Sequence, residues 1–235
     1  MTQDQNTKIN TDLLCGIDNK ELVDVPSPRC QLHRTVVKPL LELCDAARNA
    51  GFDLQVASSY RAFDRQLHIW NSKASGRRPV LDTAGQALDI TDLSERELVF
   101  AILRWSALPG ASRHHWGTDL DVYDRSLIGE DYVVQLTVDE TCGGGPFAAF
   151  HVWLSKELEK NNRGFYRPYA VDLGGVSPEP WHLSYAPLAN SYAQQLTEAV
   201  LREHIVASDI LLKQTILDNL AEIYQRFICV PPGHV

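Results

Sequence analysis

Apolar residues recur at helical spacing between Gln31 and Ala50, at Leu32, Val36, Leu40, Leu43 and Ala47, and Gly51 follows where a helix C-terminus favours glycine. The pattern predicts a helix over 31–50, preceded by an N-terminal arm over residues 1–30 that packs on the surface. Asp53–Ser59 is short and β-like. Ala62–Lys73 reads as a second helix with Phe63, Leu67 and Trp70 on one face. Ser94, with Glu97 three residues on, forms a capping box for a third helix that runs to about Trp105 and breaks at Leu108-Pro109-Gly110.

Thr118–Tyr123 alternates polar and apolar residues and predicts a strand. Residues 125–147 are irregular and glycine-rich near their end, as a lid or substrate wall would be. Phe147–Asn162 reads as a helix, 165–185 as β segments and turns, and 187–226 as two helices divided near Ala207-Ser208-Asp209. The order predicts an α+β fold: a small antiparallel sheet carries the site residues, with helices packed around it. We expect one catalytic domain over 31–187 and a C-terminal helical extension over 188–235 packed on the same domain.

Composition narrows the class. The 235 residues are 44% hydrophobic, enough for one sizeable core, and the net charge of −8 gives no general attraction for nucleic acid. Five cysteines are scattered with no CxxC spacing, so they read as reduced thiols. No stretch approaches the ~20 apolar residues that span a bilayer. Residues 1–12 lack the basic start and apolar core of a secretory signal, so the expected location is cytoplasmic; a periplasmic one would follow if an export signal had been removed.

Three short runs carry chemistry: Ser58-Ser59-Tyr60-Arg61, then Ser112 to Asp121 (SRHHWGTDLD), then Glu179-Pro180-Trp181-His182. A catalytic zinc takes three ligands of the His/Asp/Glu type and keeps one position open. Imidazoles and carboxylates of the right kind occur in the second and third runs. Periodicity does not choose between His114 and His115, or between Asp119 and Asp121. Whichever pair does not ligate can support, since ligating imidazoles donate their other N–H to a carboxylate or carbonyl. Glu179, three residues before His182 and stiffened by Pro180, is placed to act as a general base. Arg61 is a permanent cation suited to a carboxylate or an oxyanion. Gln66, one helical turn beyond Ala62, is positioned to orient Arg61 or a substrate amide, and Ser112 to donate to a substrate carboxylate or cap a turn.

The set SxYR, SxHxxGxxxD and ExxH within EPWH resembles the VanY-type D-alanyl-D-alanine carboxypeptidases, zinc peptidases related to VanX-type dipeptidases and L-alanyl-D-glutamate endopeptidases. The likeness runs from about Leu32 to Tyr185. It implies His114, Asp121 and His182 as zinc ligands, Glu179 as base, Arg61 for the oxyanion or the substrate, and Ser112, Gln66 and Tyr60 at the substrate. It also implies zinc as cofactor and a peptidoglycan stem peptide as substrate, cut at a terminal D-Ala-D-Ala bond or, in the related activity, at an L-Ala-D-Glu bond. Two departures stand out: Asp119, where many relatives carry a small apolar residue, and Tyr166-Arg167-Pro168-Tyr169.

Overall fold

Alternation along Asp119–Asp124 divides that segment between two environments. Leu120 and Val122 point to a dry layer, while Asp119 and Asp121 point to the opposite face. In the computed structural model, which describes residues 10–83 and 85–232, this strand is the second of a four-stranded antiparallel sheet. The strands are β3 (Leu54–Ser58), β4 (Asp119–Asp124), β5 (Phe165–Tyr166) and β6 (His182–Tyr185), in the order β3-β4-β6-β5. A separate hairpin joins β1 (Leu22–Pro26) to β2 (Arg29–His33).

One face of the large sheet is dry. Leu54, Leu120, Val122, Phe165 and Leu183 meet Leu40 and Leu43 of α2 (Val37–Asn49) and Phe150 and Leu154 of α6 (Ala148–Glu159). A second apolar cluster gathers α3 (Phe63–Ala74), α4 (Glu95–Leu103) and the C-terminal helices around Trp70, Ile102 and Trp116. The polar site lies on the sheet face that the first cluster leaves free.

Helix α2 begins at Val37, not at Gln31. Cys30 and Leu32 are buried at alternate positions of β2, paired with Val25 and Val23, so residues 29–33 obey a period of two. The three apolar residues that follow, at 36, 40 and 43, carried the helical signal backwards past its start. The arm expected over 1–30 includes β1 and α1 (Thr11–Leu14), with Leu14 and Cys15 fully buried; residues 1–9 lie outside the described residues. The capping box of α4 is present, with Ser94 and Glu97 bonded both ways.

The C-terminal region holds more breaks than expected: α7 (Ala186–Gln195), α8 (Glu198–Ala207), α9 (Lys213–Asp218) and α10 (Leu220–Ile223), then a widened turn over Tyr224–Ile228. Thr197 caps α8 through Val200 N–H, and Leu212 takes a left-handed conformation just before α9, which stops any continuous helix. The 125–147 stretch contains one short helix, α5 (Val138–Thr141). Buried Glu140 organises its approach by accepting from Tyr132 Oη, Gln135 N and Thr137 N at 2.7, 3.0 and 3.1 Å. Cys15, Cys30 and Cys44 are buried free thiols, pushed up to about 12, 11 and 12 chiefly by burial. No helix among the described residues is long and apolar enough to cross a membrane.

Candidate metal centre

Asp121 and His182 face each other as direct partners in the β4–β6 ladder, and Ser58 faces Asp121 from β3. His114 comes from a 3-10 turn, Arg113–Trp116, just before β4. Gly117 ends that turn at φ 66°, a left-handed conformation that costs glycine little. A Cβ there would also sit 2.7 Å from His33 N, so the hairpin packs directly on this glycine, and His33 N–H donates to its carbonyl.

These three residues bring one ligand atom each to within 4.8 Å of one another. His114 Nε2 lies 3.3 Å from Asp121 Oδ2, and His182 Nδ1 lies 3.1 Å from Asp121 Oδ1. Donors held about 2.0–2.1 Å from a tetrahedral zinc stand roughly 3.3 Å apart, so the spacing suits that ion. His182 Nδ1 and Asp121 Oδ1 are both buried with no hydrogen-bond partner among the described residues; their 3.1 Å approach lacks hydrogen-bond geometry. A donor pair aimed at a common point and otherwise unsatisfied fits a cation between them.

The remaining ring nitrogens are occupied as metal-ligating imidazoles require. His114 Nδ1 lies 2.8 Å from the Ser59 carbonyl, and His182 Nε2 lies 2.9 Å from Asp119 Oδ1. Asp119 is held in turn by Arg113 Nε at 2.8 Å and Thr118 Oγ1 at 2.6 Å, all of it buried. Burial would push Asp119 up, but the Arg113 guanidinium and the His182 ring overcome it and hold it at about 2. For Asp121, too, burial pushes up and the His114 and His182 imidazoles win, leaving it well below the ordinary carboxylate range. Burial opposes charge on His182, yet its ring of carboxylates raises its pKa well above normal in the metal-free chain.

His115, left open by the sequence, is bound twice. Its Nδ1 meets Arg61 O at 2.6 Å and its Nε2 accepts from Gly110 N–H at 3.2 Å. Burial lowers it to about 3, so it stands as a neutral structural residue. The sequence's choice between Asp119 and Asp121 is resolved by the same geometry: Asp121 faces both imidazoles and Asp119 backs one of them.

Glu179 is half-buried, with Oε2 3.4 Å from His182 Nδ1 and its N–H bonded to Tyr169 O at 2.9 Å. Arg61 and Ser112 line the same cleft of about 290 Å³. Arg61 donates to Gln66 Oε1 at 2.9 Å and Ser58 Oγ at 3.0 Å, and burial is the main influence lowering its pKa. Ser112 makes no side-chain capping bond.

Two further expected site residues, Gln66 and Tyr60, do not line the cleft. Gln66 is fully buried behind Arg61, with its amide nitrogen donating to Ala107 O at 2.7 Å, so it positions the arginine and does not line the cleft. Tyr60 turns away and donates to Gly16 O at 3.1 Å.

Several participants had no role assigned from the sequence. Arg113 also donates to Tyr166 Oη at 3.0 Å and Ser184 Oγ at 2.6 Å. Arg167 donates to Pro180 O at 2.6 Å and Ser155 Oγ at 2.7 Å, bracing the Glu179–His182 turn against α6. Tyr169 sets its ring edge-on to His182 at 5.0 Å, and burial raises it to about 12. The unusual Tyr166–Tyr169 run is thus a support beneath the site. Gln135 and Leu136 of the expected wall reach the cleft, as do Lys73, Phe227 and Ile228.

An uncharacterized protein of Haemophilus influenzae is 42% identical over 104 residues, covering 43% of this chain and 71% of that protein. A D-alanyl-D-alanine carboxypeptidase of Enterococcus faecalis is 30% identical over 149 residues, covering 62% of this chain and 45% of its own length. Among solved structures, VanYB in complex with D-alanine-D-alanine superposes with a TM-score of 0.51 at 23% identity, over 82% of this chain and 91% of that one, which shows a common fold. Residues 29–188 match the VanY family, described as D-alanyl-D-alanine carboxypeptidase, and the chain belongs to that family.

Proposed function

We propose that the chain is a zinc-dependent D,D-carboxypeptidase that removes the terminal D-alanine from cell-wall-derived peptides ending in D-Ala-D-Ala. The observation that carries this reading is the convergence of His114, Asp121 and His182 beside Glu179 and Arg61 in one cleft. His114 Nε2, Asp121 and His182 Nδ1 would hold the ion. Zinc in such a site supplies a Lewis acid for the scissile carbonyl and lowers the pKa of water.

The chain's own groups do the rest. Glu179 accepts the proton of the attacking water as the C–O bond forms and the carbonyl oxygen takes up negative charge, then delivers it to the leaving amine nitrogen as the carbonyl re-forms and the C–N bond breaks. Arg61, fixed by Gln66 and Ser58, presents its guanidinium to the oxygen on which negative charge develops. Ser112 offers a hydroxyl at the cleft wall.

The test is to digest a defined D-Ala-D-Ala-ending muropeptide and weigh the products. Loss of one terminal alanine is expected, with the rate falling at least 100-fold in Glu179→Ala, the scale of a removed general base, while bound zinc is retained. Internal scission at L-Ala-D-Glu would move the reading to the endopeptidase activity. No cleavage of any wall peptide by the zinc-bound protein would leave a peptide-binding module.

A further inference from the structure

Lys73 is the cation of the cleft that the proposed chemistry leaves unused. It sits in the last turn of α3, twelve residues beyond Arg61, and both side chains line the same cavity. Arg78 N–H bonds to Ser72 O at 2.9 Å, folding the 75–82 loop back on the helix end, and Leu81 of that loop also lines the cavity. Neither an ion pair within 4.0 Å nor a hydrogen bond engages the Lys73 ammonium among the described residues. Glu179, the nearest acid acting on it, faces His182 at 3.4 Å. The half-buried ammonium is depressed to about 8, mainly by burial and further by Arg78, and so it remains largely charged at neutral pH.

A lysine in a helix's last turn is favoured by the helix dipole, which accounts for its charge but not for a place in the cavity wall. The cavity it lines also has apolar walls. Leu81, Trp105, Val176, Phe227 and Ile228 line it from four separate stretches of the chain, and Phe227 and Ile228 lie beyond the residues that match the family. Trp105 is fixed by donating to Asp82 O at 2.9 Å. Val176 is fixed from both flanks: Ser177 N–H donates to Arg104 O, and Arg226 donates to Gly174 O, each at 2.9 Å. A half-buried, unpaired ammonium in a cavity that also offers apolar lining has lost part of its hydration and gains most from a ligand that brings an anion together with small apolar surface. A C-terminal alanine is such a group.

We infer that Lys73 is a specificity residue that receives the terminal carboxylate of the substrate peptide, with Trp105, Phe227 and Ile228 forming the wall against which its last methyl group packs. The inference rests on the carboxypeptidase reading above and concerns binding, so it is tested without turnover.

The zinc-loaded Glu179→Gln protein is titrated calorimetrically with diacetyl-L-Lys-D-Ala-D-Ala, whose only carboxylate is terminal, and with its C-terminal carboxamide. The free acid should bind about tenfold or more tightly than the amide, the scale of one charge-assisted hydrogen bond. Adding Lys73→Gln should remove that preference while leaving amide binding and zinc content unchanged, and Lys73→Arg should restore part of it. Should Lys73→Gln disturb folding, the Lys73→Arg protein and the acetylated-lysine form carry the same comparison. An equal acid preference with and without the ammonium, or none in either, overturns the inference. Cleavage of the same peptide by the unaltered chain is read separately and tests the parent reading.

Discussion

Asp119 shows how one buried carboxylate sets the state of its neighbours. It accepts from His182 Nε2, Arg113 Nε and Thr118 Oγ1, and so directs the opposite ring nitrogen, Nδ1, toward Asp121. Asp119→Asn keeps the volume and loses the charge; zinc affinity should fall about 10–100-fold in a chelator competition. Arg113→Met strands Asp119 in a buried site and should cost about 3–5 kcal/mol in urea unfolding.

Still at the residue scale, His151 is buried, with Nε2 unpartnered and Nδ1 3.3 Å from Arg167, and burial with that guanidinium lowers it to about 3. A histidine held neutral in the fold binds its proton more readily once unfolded. Its contribution is intact above about pH 6.5 and is lost as pH falls from there toward 3, at up to about 1.4 kcal/mol per pH unit. His151→Gln should flatten that part of the stability curve between pH 6 and 4.

Among elements, the loop ahead of Glu179 and the C-terminal turn are packed backbone to backbone. A Cβ on Gly175 would collide with the Arg226 carbonyl, and Arg104 ties Asp172 on the other side at 2.6 Å. Gly175→Ala should therefore cost about 1–3 kcal/mol, seen as a lowered Tm. It should also loosen the cleft wall, raising KM for short peptides with little change in zinc content.

Much of this level was legible beforehand. The alternation in 119–124, the capping box at Ser94–Glu97 and the glycine after Trp116 are local signals, and each marks the structure seen. The β1–β2 hairpin was hidden because only Val25, Cys30 and Leu32 mark its buried side, and they adjoin a strong helical run. Of the two roles open to Gln66 the structure has the one that orients Arg61, while Tyr60 turns elsewhere, because sequence neighbourhood to Arg61 does not say which way a side chain turns. Arg167 and Lys73 meet the site only through tertiary packing, for which spacing along the chain holds no trace.

At the scale of the molecule, two apolar clusters form the core, and the polar site is braced by backbone ladders and by Arg113 and Arg167. The fold accordingly does not depend on the ion. Dialysis against a chelator should abolish hydrolysis yet leave the circular dichroism spectrum unchanged. The unfolding free energy should fall only by the mass-action contribution of the lost ligand, about 2.7 kcal/mol at a hundredfold excess of free metal over Kd, and Tm with it.

The direct opposition of Asp121 and His182 across β4 and β6 has a practical corollary. A slip of one residue between those strands would turn one of the two side chains into the dry layer. Misassembled molecules would then have no way to sequester the ion, so the stoichiometry of tightly held metal in a purified sample would count the fraction of chains whose strands are correctly mated, before any substrate is added.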